Sequence, residues 1–499
     1  MKNLLFIALI ASLAIIAIGQ PVRAEMATMD EALNVTKNWV TLIIHKRGSW
    51  GGSKMAEVQE IKEFKVGDRV LGYFCRIRPQ GFIIISLHKE LIPVKAFSET
   101  AVIVGEVDKG MIDFIKKGME RTINGVEKKI GPINLAKPQA LLDHLETDYR
   151  PFWNELNCDG ETFKSYLQSG IQSMNYRGND WNDWLLSSSW QQEHPYNLSA
   201  PDAGSACTDP RYNGRCPIGC GAIAAGQIMY YWSWPPDIDW LNMRDSIINS
   251  PQYQIDAVAM FLKGVGDHIG SDYCSDGCAT NSCFAFCPGE DILDAFEDHY
   301  YYSSNADWYM RQVRTKAEWF DIMKSDLNLN RPIPYHITDH HIVIDGWFEA
   351  GSEHWPYYHV NYGWGLNFDC VVGCNFWYPV DDIYESDEND EILIANLYPN
   401  VALGASLSGQ YPLTSSPYRY FDQDAAGSSV TFLEGQNLQF LPGITVTCNG
   451  ATGAIIFLGS SNSGGITRMF SIKNGVKKSI NIYDGHINLS NGGWLKFHK

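Results

Sequence analysis

The sequence predicts an α+β chain that ends in a small all-β module, and three observations lead there. An apolar run at 220–232 has helical spacing and is stopped by Pro235–Pro236. Two β-branched and aromatic segments, 340–348 and 355–361, flank a polar loop containing Gly351, as the arms of a hairpin do. From 426 onward, short runs of alternating apolar and polar residues are separated by Asn, Gly and Ser.

The 499 residues suffice for several folding units, and 45% apolar content allows packed cores. A net charge of −18 excludes nucleic acid or an anionic membrane as the main partner. Residues 401–499 break the trend, with seven Lys/Arg against four Asp/Glu. The first residues combine Lys2, an apolar run from Leu4 to Ile18 and small residues before Glu25. That order predicts a signal peptide, 1–24, cleaved near Ala24–Glu25. The run is shorter than the roughly 20 residues a membrane span needs, and no later segment is apolar enough to be one. A secreted or cell-surface protein without a transmembrane segment is expected.

Four regions follow. Residues 25–180 hold amphipathic helix patterns at Asp30–Leu42 and Ala140–Tyr149. They also hold a hairpin, VLGYFCRI and FIIISL, turning at Arg78–Gly81. Residues 181–398 hold most of the chemically suggestive residues. The stretch 399–425 reads as a Ser/Pro/Tyr-rich linker. Residues 426–499 read as an all-β module or stacked β-rungs, with strands in SVTFLE, LQFLPGITVTC, AIIFLG, SINIYDGHINL and WLKFHK.

Export makes disulfides the default for the twelve cysteines. Cys274, Cys278, Cys283 and Cys287 are spaced CxxxC, CxxxxC and CxxxC, unlike the paired CxxC of common zinc sites. A loop stapled by two disulfides is expected there, and Cys370 with Cys374 reads the same way. The pairings stay open.

In RCPIGCGAIAAGQIMYYWSWPP, Cys220 stands between Gly219 and Gly221 at the start of the helix. Ala224, Ile228, Tyr231 and Trp232 line one face. A helix amino terminus favours thiolate over thiol, which suits a sulfur nucleophile. A disulfide from Cys220 to Cys207 or Cys216 would explain the motif as well. Further on, a hairpin centred between Ala350 and Gly351 would set His340 opposite Asn361. There the amide could fix the imidazole and leave its other nitrogen for a thiol. His336, His340 and His341 also suggest a metal, but no well-placed carboxylate beyond Asp339 and Asp345 accompanies them; no metal or cofactor is expected. A cysteine at a helix start followed more than 100 residues later by His and Asn is the papain-type order, which favours catalysis.

These residues resemble the streptopain family of bacterial cysteine proteases, which includes interpain. Ile218-Gly219-Cys220-Gly221-Ala222-Ile223-Ala224, then Gln227-Ile228-Met229-Tyr230-Tyr231 and Trp234-Pro235, is similar to its nucleophile motif. Asp339-His340-His341-Ile342-Val343-Ile344-Asp345-Gly346 resembles its Gly-His-Ala-Phe-Val-Ile-Asp-Gly, which selects His340 over His341. His359-Val360-Asn361-Tyr362-Gly363-Trp364-Gly365 resembles its His-Val-Asn-Trp-Gly-Trp-Gly. Trp190-Gln191-Gln192-Glu193-His194-Pro195-Tyr196-Asn197 resembles its aromatic-x-Gln-x-x-Pro-Tyr-Asn. The resemblance spans roughly 30–398. It implies a papain-like two-lobed domain with Cys220 as nucleophile, His340 as base, Asn361 as orienter and Gln192 in the oxyanion hole. Gly219, Gly221, Asp339, Tyr362 and Trp364 would support the site. The family has Gly at 339, Ala at 341, Val at 221 and Trp at 362; Asp339 beside the base would raise its pKa.

The expected function is that of a secreted cysteine endopeptidase made as a zymogen. Its partners would be polypeptide substrates and its own pro-region, cut between about 165 and 183, where Arg177 offers a site. The alternative is a catalytically impaired secreted binding or adhesion protein on the same scaffold.

Overall fold

A computed structural model of the chain describes residues 24–101, 110–136, 147–168, 184–232, 242–285, 291–365, 375–379 and 391–399, with isolated positions between them and the C-terminal strands given below. The expected signal peptide lies outside these residues apart from Ala24, as do half of the Ala140–Tyr149 helix pattern and all of 169–183. The chain divides into two compact units. One comprises Met1–Thr100, Glu106–Met174 and Ala350–Trp355; the other comprises Ala101–Gly105, Asn175–Glu349 and Pro356–Lys499.

In the first unit, helix α1 (Met29–Arg47) starts at a capping box. The Thr28 side chain takes the Glu31 N–H while the Glu31 carboxylate takes the Thr28 N–H. It stops at Gly48, whose φ of +79° closes the last turn. Its buried face includes Trp39, edge-on to Phe97 at 5.3 Å. Four antiparallel strands follow: β1 (Glu57–Val66), β2 (Arg69–Arg78), β3 (Phe82–Ser86) and β4 (Val94–Ser98). β2 and β3 are the expected hairpin. Helices α2 (Gly110–Ile130), α3 (Arg150–Leu156) and α4 (Gly160–Gln168) complete the unit.

The second unit separates a helical part from a sheet. Helix α5 (Cys220–Trp232) is buried at every position from Gly221 to Trp232, not along one face as its spacing suggested. Only Gln227 interrupts its apolar residues after Cys220, so no solvent-facing stripe exists. Gly226 permits close packing on α6 (Gln252–His268), since a Cβ there would lie 2.6 Å from Leu262 Cδ2. A small hairpin, β5 (Asp272–Asp276) and β6 (Ala279–Asn281), comes next. Then follow β7 (Asp307–Met310), α7 (Lys316–Asn328), β8 (Ile333–Ile337), β9 (His340–Ala350), β10 (Trp355–Asn361), β11 (Asn375–Pro379) and β12 (Ile392–Ala395). Within this unit the sheet runs β11-β10-β9-β8-β12-β7. Strand β9 is buried throughout, although His340, His341, Asp345 and Glu349 interrupt its apolar residues. The Cys220 helix and the His340 strand thus belong to different layers of an α+β unit.

The tail is antiparallel rather than a stack of parallel rungs. Its strands are Tyr418–Asp422, Ser428–Phe432, Gln439–Phe440, Thr445–Cys448, Ala451–Gly453, Ile455–Phe457, Thr467–Lys473, Val476–Ile482, Gly485–Ser490 and Trp494–His498, in three small sheets. Tyr418–Asp422 falls inside the stretch read as linker, yet it pairs with Trp494–His498. Its own Tyr-Arg-Tyr-Phe alternation is a strand signal that the preceding Ser and Pro residues obscured. SINIYDGHINL divides in two, and the halves pair with different partners.

Candidate active site

Gly219 makes the bend into α5. Its φ is +94°, a region L side chains rarely adopt, and its carbonyl accepts the Ile223 N–H at 3.2 Å. Cys220 is the first residue of the helix and is half-buried with a free thiol. A Cβ on Gly221 would stand 2.3 Å from Ser282 Oγ and 2.9 Å from His341 Nδ1, so only glycine lets the start of β9 approach Cys220 so closely.

The disulfides resolve the pairing left open above. Cys207 bonds Cys278 and Cys216 bonds Cys274, so neither candidate partner reaches Cys220. The 274–287 stretch is thus stapled by two disulfides, and these tie the β5–β6 hairpin to the segment leading into Cys220. Thr280 on that hairpin adds a 2.7 Å hydrogen bond from its hydroxyl to the Pro217 carbonyl. Cys283 is also disulfide-bonded. Cys287, Cys370 and Cys374 lie outside the described residues.

His340 opens β9 directly after a two-residue turn, since Ile337 pairs with His340. Asp339 holds φ +59° in that turn. Aspartate tolerates this left-handed geometry better than most non-glycine residues, which explains how it can stand where the family has Gly. The His340 Nε2 lies 2.9 Å from the Tyr362 carbonyl. A carbonyl can only accept, so Nε2 carries the proton and Nδ1 is the basic nitrogen. Tyr362 and Trp364 flank the ring at 6.1 and 5.1 Å.

Electrostatics differ from the expectation for Asp339. Burial pushes His340 down to about 4, outweighing the opposing effect of the Tyr362 carbonyl, while His336 adds a further downward push. Asp339 is not among the groups that shift it. Burial pushes the Cys220 thiol up, against the backbone N–H groups of His341, Gly221 and Cys220 itself. Both shifts favour the uncharged forms, thiol and imidazole. His341, with Nδ1 3.4 Å from Ser282 Oγ, is held well below the usual histidine range by burial and by His336 and His340. Among the described residues no group of three His, Cys, Asp or Glu side chains is arranged to hold a metal ion.

Asn361 does not face His340. The loop between β9 and β10 runs from Gly351 to His354, so its centre lies two residues beyond the expected turn. The Asn361 amide goes instead to the helix. Gln227 Nε2 donates to Asn361 Oδ1 at 3.2 Å, and Asn361 Nδ2 donates back to Gln227 Oε1 at 3.3 Å. Asn361 also donates to the Ser188 carbonyl and accepts the Gly363 N–H. The sequence reading missed Gln227 as a working residue; a lone amide in an otherwise apolar helix was the available signal. It missed too the 2.6 Å contact between buried His359 and Asp345, whose other oxygen takes the Leu186 N–H. Gln192 is half-buried, and its carbonyl accepts the Ile218 N–H at 3.1 Å, two residues before Cys220. Neighbouring Gln191 is fully buried and bridges to Trp364.

Fold and site together define a class: an α+β domain with a free cysteine opening a buried helix and a tautomer-fixed histidine opening a sheet strand. Within it, the chain is related to the streptopain-type bacterial cysteine proteases, and residues 190–238 and 236–370 match the sequence model of the Peptidase C10 family. Streptopain of Streptococcus pyogenes is 23% identical over 408 residues, covering 73% of this chain and 90% of streptopain. The thiol protease/hemagglutinin PrtT of Porphyromonas gingivalis is 24% identical over 229 residues, 40% of this chain but only 24% of PrtT. A solved prointerpain A fragment from Prevotella intermedia is 20% identical, covers 67% of this chain and 97% of its own, and has a TM-score of 0.45.

Proposed function

We propose that the chain is a secreted cysteine endopeptidase made as a zymogen, with residues 1–24 as leader, 25–180 as inhibitory pro-region and 181–398 as catalytic domain. The observation that supports this most is the pairing of elements at the nucleophile. Cys220 is a free thiol at the amino end of α5, while β9 begins beside it with His340, whose Nε2–H is committed to the Tyr362 carbonyl.

In the proposed reaction His340 Nδ1 takes the Cys220 proton as sulfur attacks the peptide carbonyl carbon. The Cys220 N–H, at the helix terminus, and the Gln192 amide donate to the oxyanion. The imidazolium then protonates the leaving amine. Water, deprotonated by the same nitrogen, hydrolyses the thioester. The Tyr362 carbonyl fixes the tautomer, the part expected of Asn361, and Asn361 acts one step removed.

The test is incubation of processed protein with casein, with and without iodoacetamide, beside Cys220→Ala. Cleavage abolished by alkylation and by the substitution is expected. Processed protein that does not cleave, or cleavage indifferent to Cys220→Ala, would establish the alternative, a binding protein on an inactive scaffold.

A further inference from the structure

One side chain on the Cys220 helix ties two further stretches to it: the one that continues to Gln192 and the one whose Tyr362 carbonyl holds His340. Gln227 is fully buried near the middle of α5, seven residues after Cys220. Its Oε1 accepts from Ser188 Oγ at 2.9 Å and from the Trp190 N–H at 3.3 Å, on the segment that continues to Gln192. Its amide pairs in both directions with Asn361, next to the Tyr362 carbonyl that holds His340. Gly363, with φ +66°, lets this segment press on the helix, since a Cβ there would lie 2.6 Å from Ile223 Cγ2.

We propose that Gln227 is the positioning residue of this site, setting the oxyanion donor segment and the base-holding carbonyl at fixed distances from the nucleophile's helix through one shared amide. The proposal rests on the protease reading. An apolar helix could pack as well with Leu or Met at 227. An amide that both donates and accepts defines register between segments, which apolar contact does not. Asn361 then serves geometry through Gln227 rather than by touching the base.

The partners of Gln227, namely Ser188, Trp190 and Asn361, are all uncharged, which gives the test its signature. In Gln227→Glu one oxygen keeps the Oε1 contacts, while the other replaces Nε2 and faces Asn361 Oδ1. Ionised, it repels that oxygen; protonated, it donates as the amide does. Variants are processed with a catalytic amount of wild-type enzyme and compared with it on one peptide substrate. Gln227→Leu is expected to lower kcat about 10²-fold with KM within about threefold, as displaced reacting groups do. For Gln227→Glu, the ratio of its kcat/KM to that of wild type should rise as pH is lowered. If the leucine variant does not fold, the glutamate variant carries the test. Wild-type kcat/KM in both, or a pH-independent ratio for the glutamate variant, overturns the proposal. Should the wild-type chain cleave nothing, the protease reading fails separately. The pH profile of Cys220 alkylation by iodoacetamide, read on its peptide by mass, then decides: a profile unchanged in Gln227→Glu overturns the positioning role, and an altered one supports it.

Discussion

Asp339 shows how a residue can be legible as a departure yet misread as chemistry. Beside His340 in sequence it suggested a charge that would raise the base. In the fold its work is conformational, at φ +59° in the turn that starts β9. Asp339→Gly should therefore leave activity near wild type, whereas Asp339→Val should cost about 1–2 kcal/mol in urea unfolding, the penalty of a left-handed β-branched residue. Gln192 was identifiable only by resemblance, because nothing in its local sequence distinguishes it from a surface amide. Gln192→Ala should lower kcat about 10²-fold with little change in KM, the loss expected for one oxyanion donor. Cys220 was the most legible of all: flanking glycines, a helix start and a proline stop are local signals. What the local signals left open was whether its sulfur was free, because disulfide partners are set by tertiary approach.

The β5–β6 hairpin was the least legible element. Its short polar strands carry little hydrophobic pattern, and its function depends on two bonds to residues 71 and 58 positions away. It holds the approach to the nucleophile, so Cys207→Ser combined with Cys278→Ser should cost about 4 kcal/mol for a loop of this length. The same geometry sets two opposed demands on reductant. Cys220 must be reduced, while the two bonds beside it must stay oxidised. Activity should rise at low thiol concentration and fall again at high concentration. The β9–β10 hairpin was legible in its arms but not in its loop. The loop centres two residues beyond the expected position, which takes Asn361 away from His340 and to the helix, and side-chain periodicity cannot count loop residues.

At the scale of the whole chain, buried neutral histidines link stability to pH in both units. His88 in the first unit and His340 in the second are each lowered by burial to about 4. Both bind a proton more weakly when folded than when unfolded. Their contribution is therefore intact above about 6.5 and lost as pH falls toward 4, by roughly 3 kcal/mol for each histidine. Urea midpoints of the full chain should drop across that window, and His88→Gln should flatten the drop for the first unit alone. The fold class and the β9 and β10 strands were readable over 181–398 because apolar residues are dense there. The tail was readable as β but not in its pairing, since strands of two to seven residues fit several partners equally well.

The central claim is that Cys220 forms a covalent acyl intermediate, and trapping it is the most direct measurement. Processed protein is mixed with an activated ester of a short peptide, quenched in acid within the first turnover, digested and weighed peptide by peptide. The account predicts one acyl group per chain on the peptide containing Cys220, absent in Cys220→Ala and not accumulating in His340→Gln. Turnover with no acyl group on Cys220, or with the label on Cys158, would contradict it.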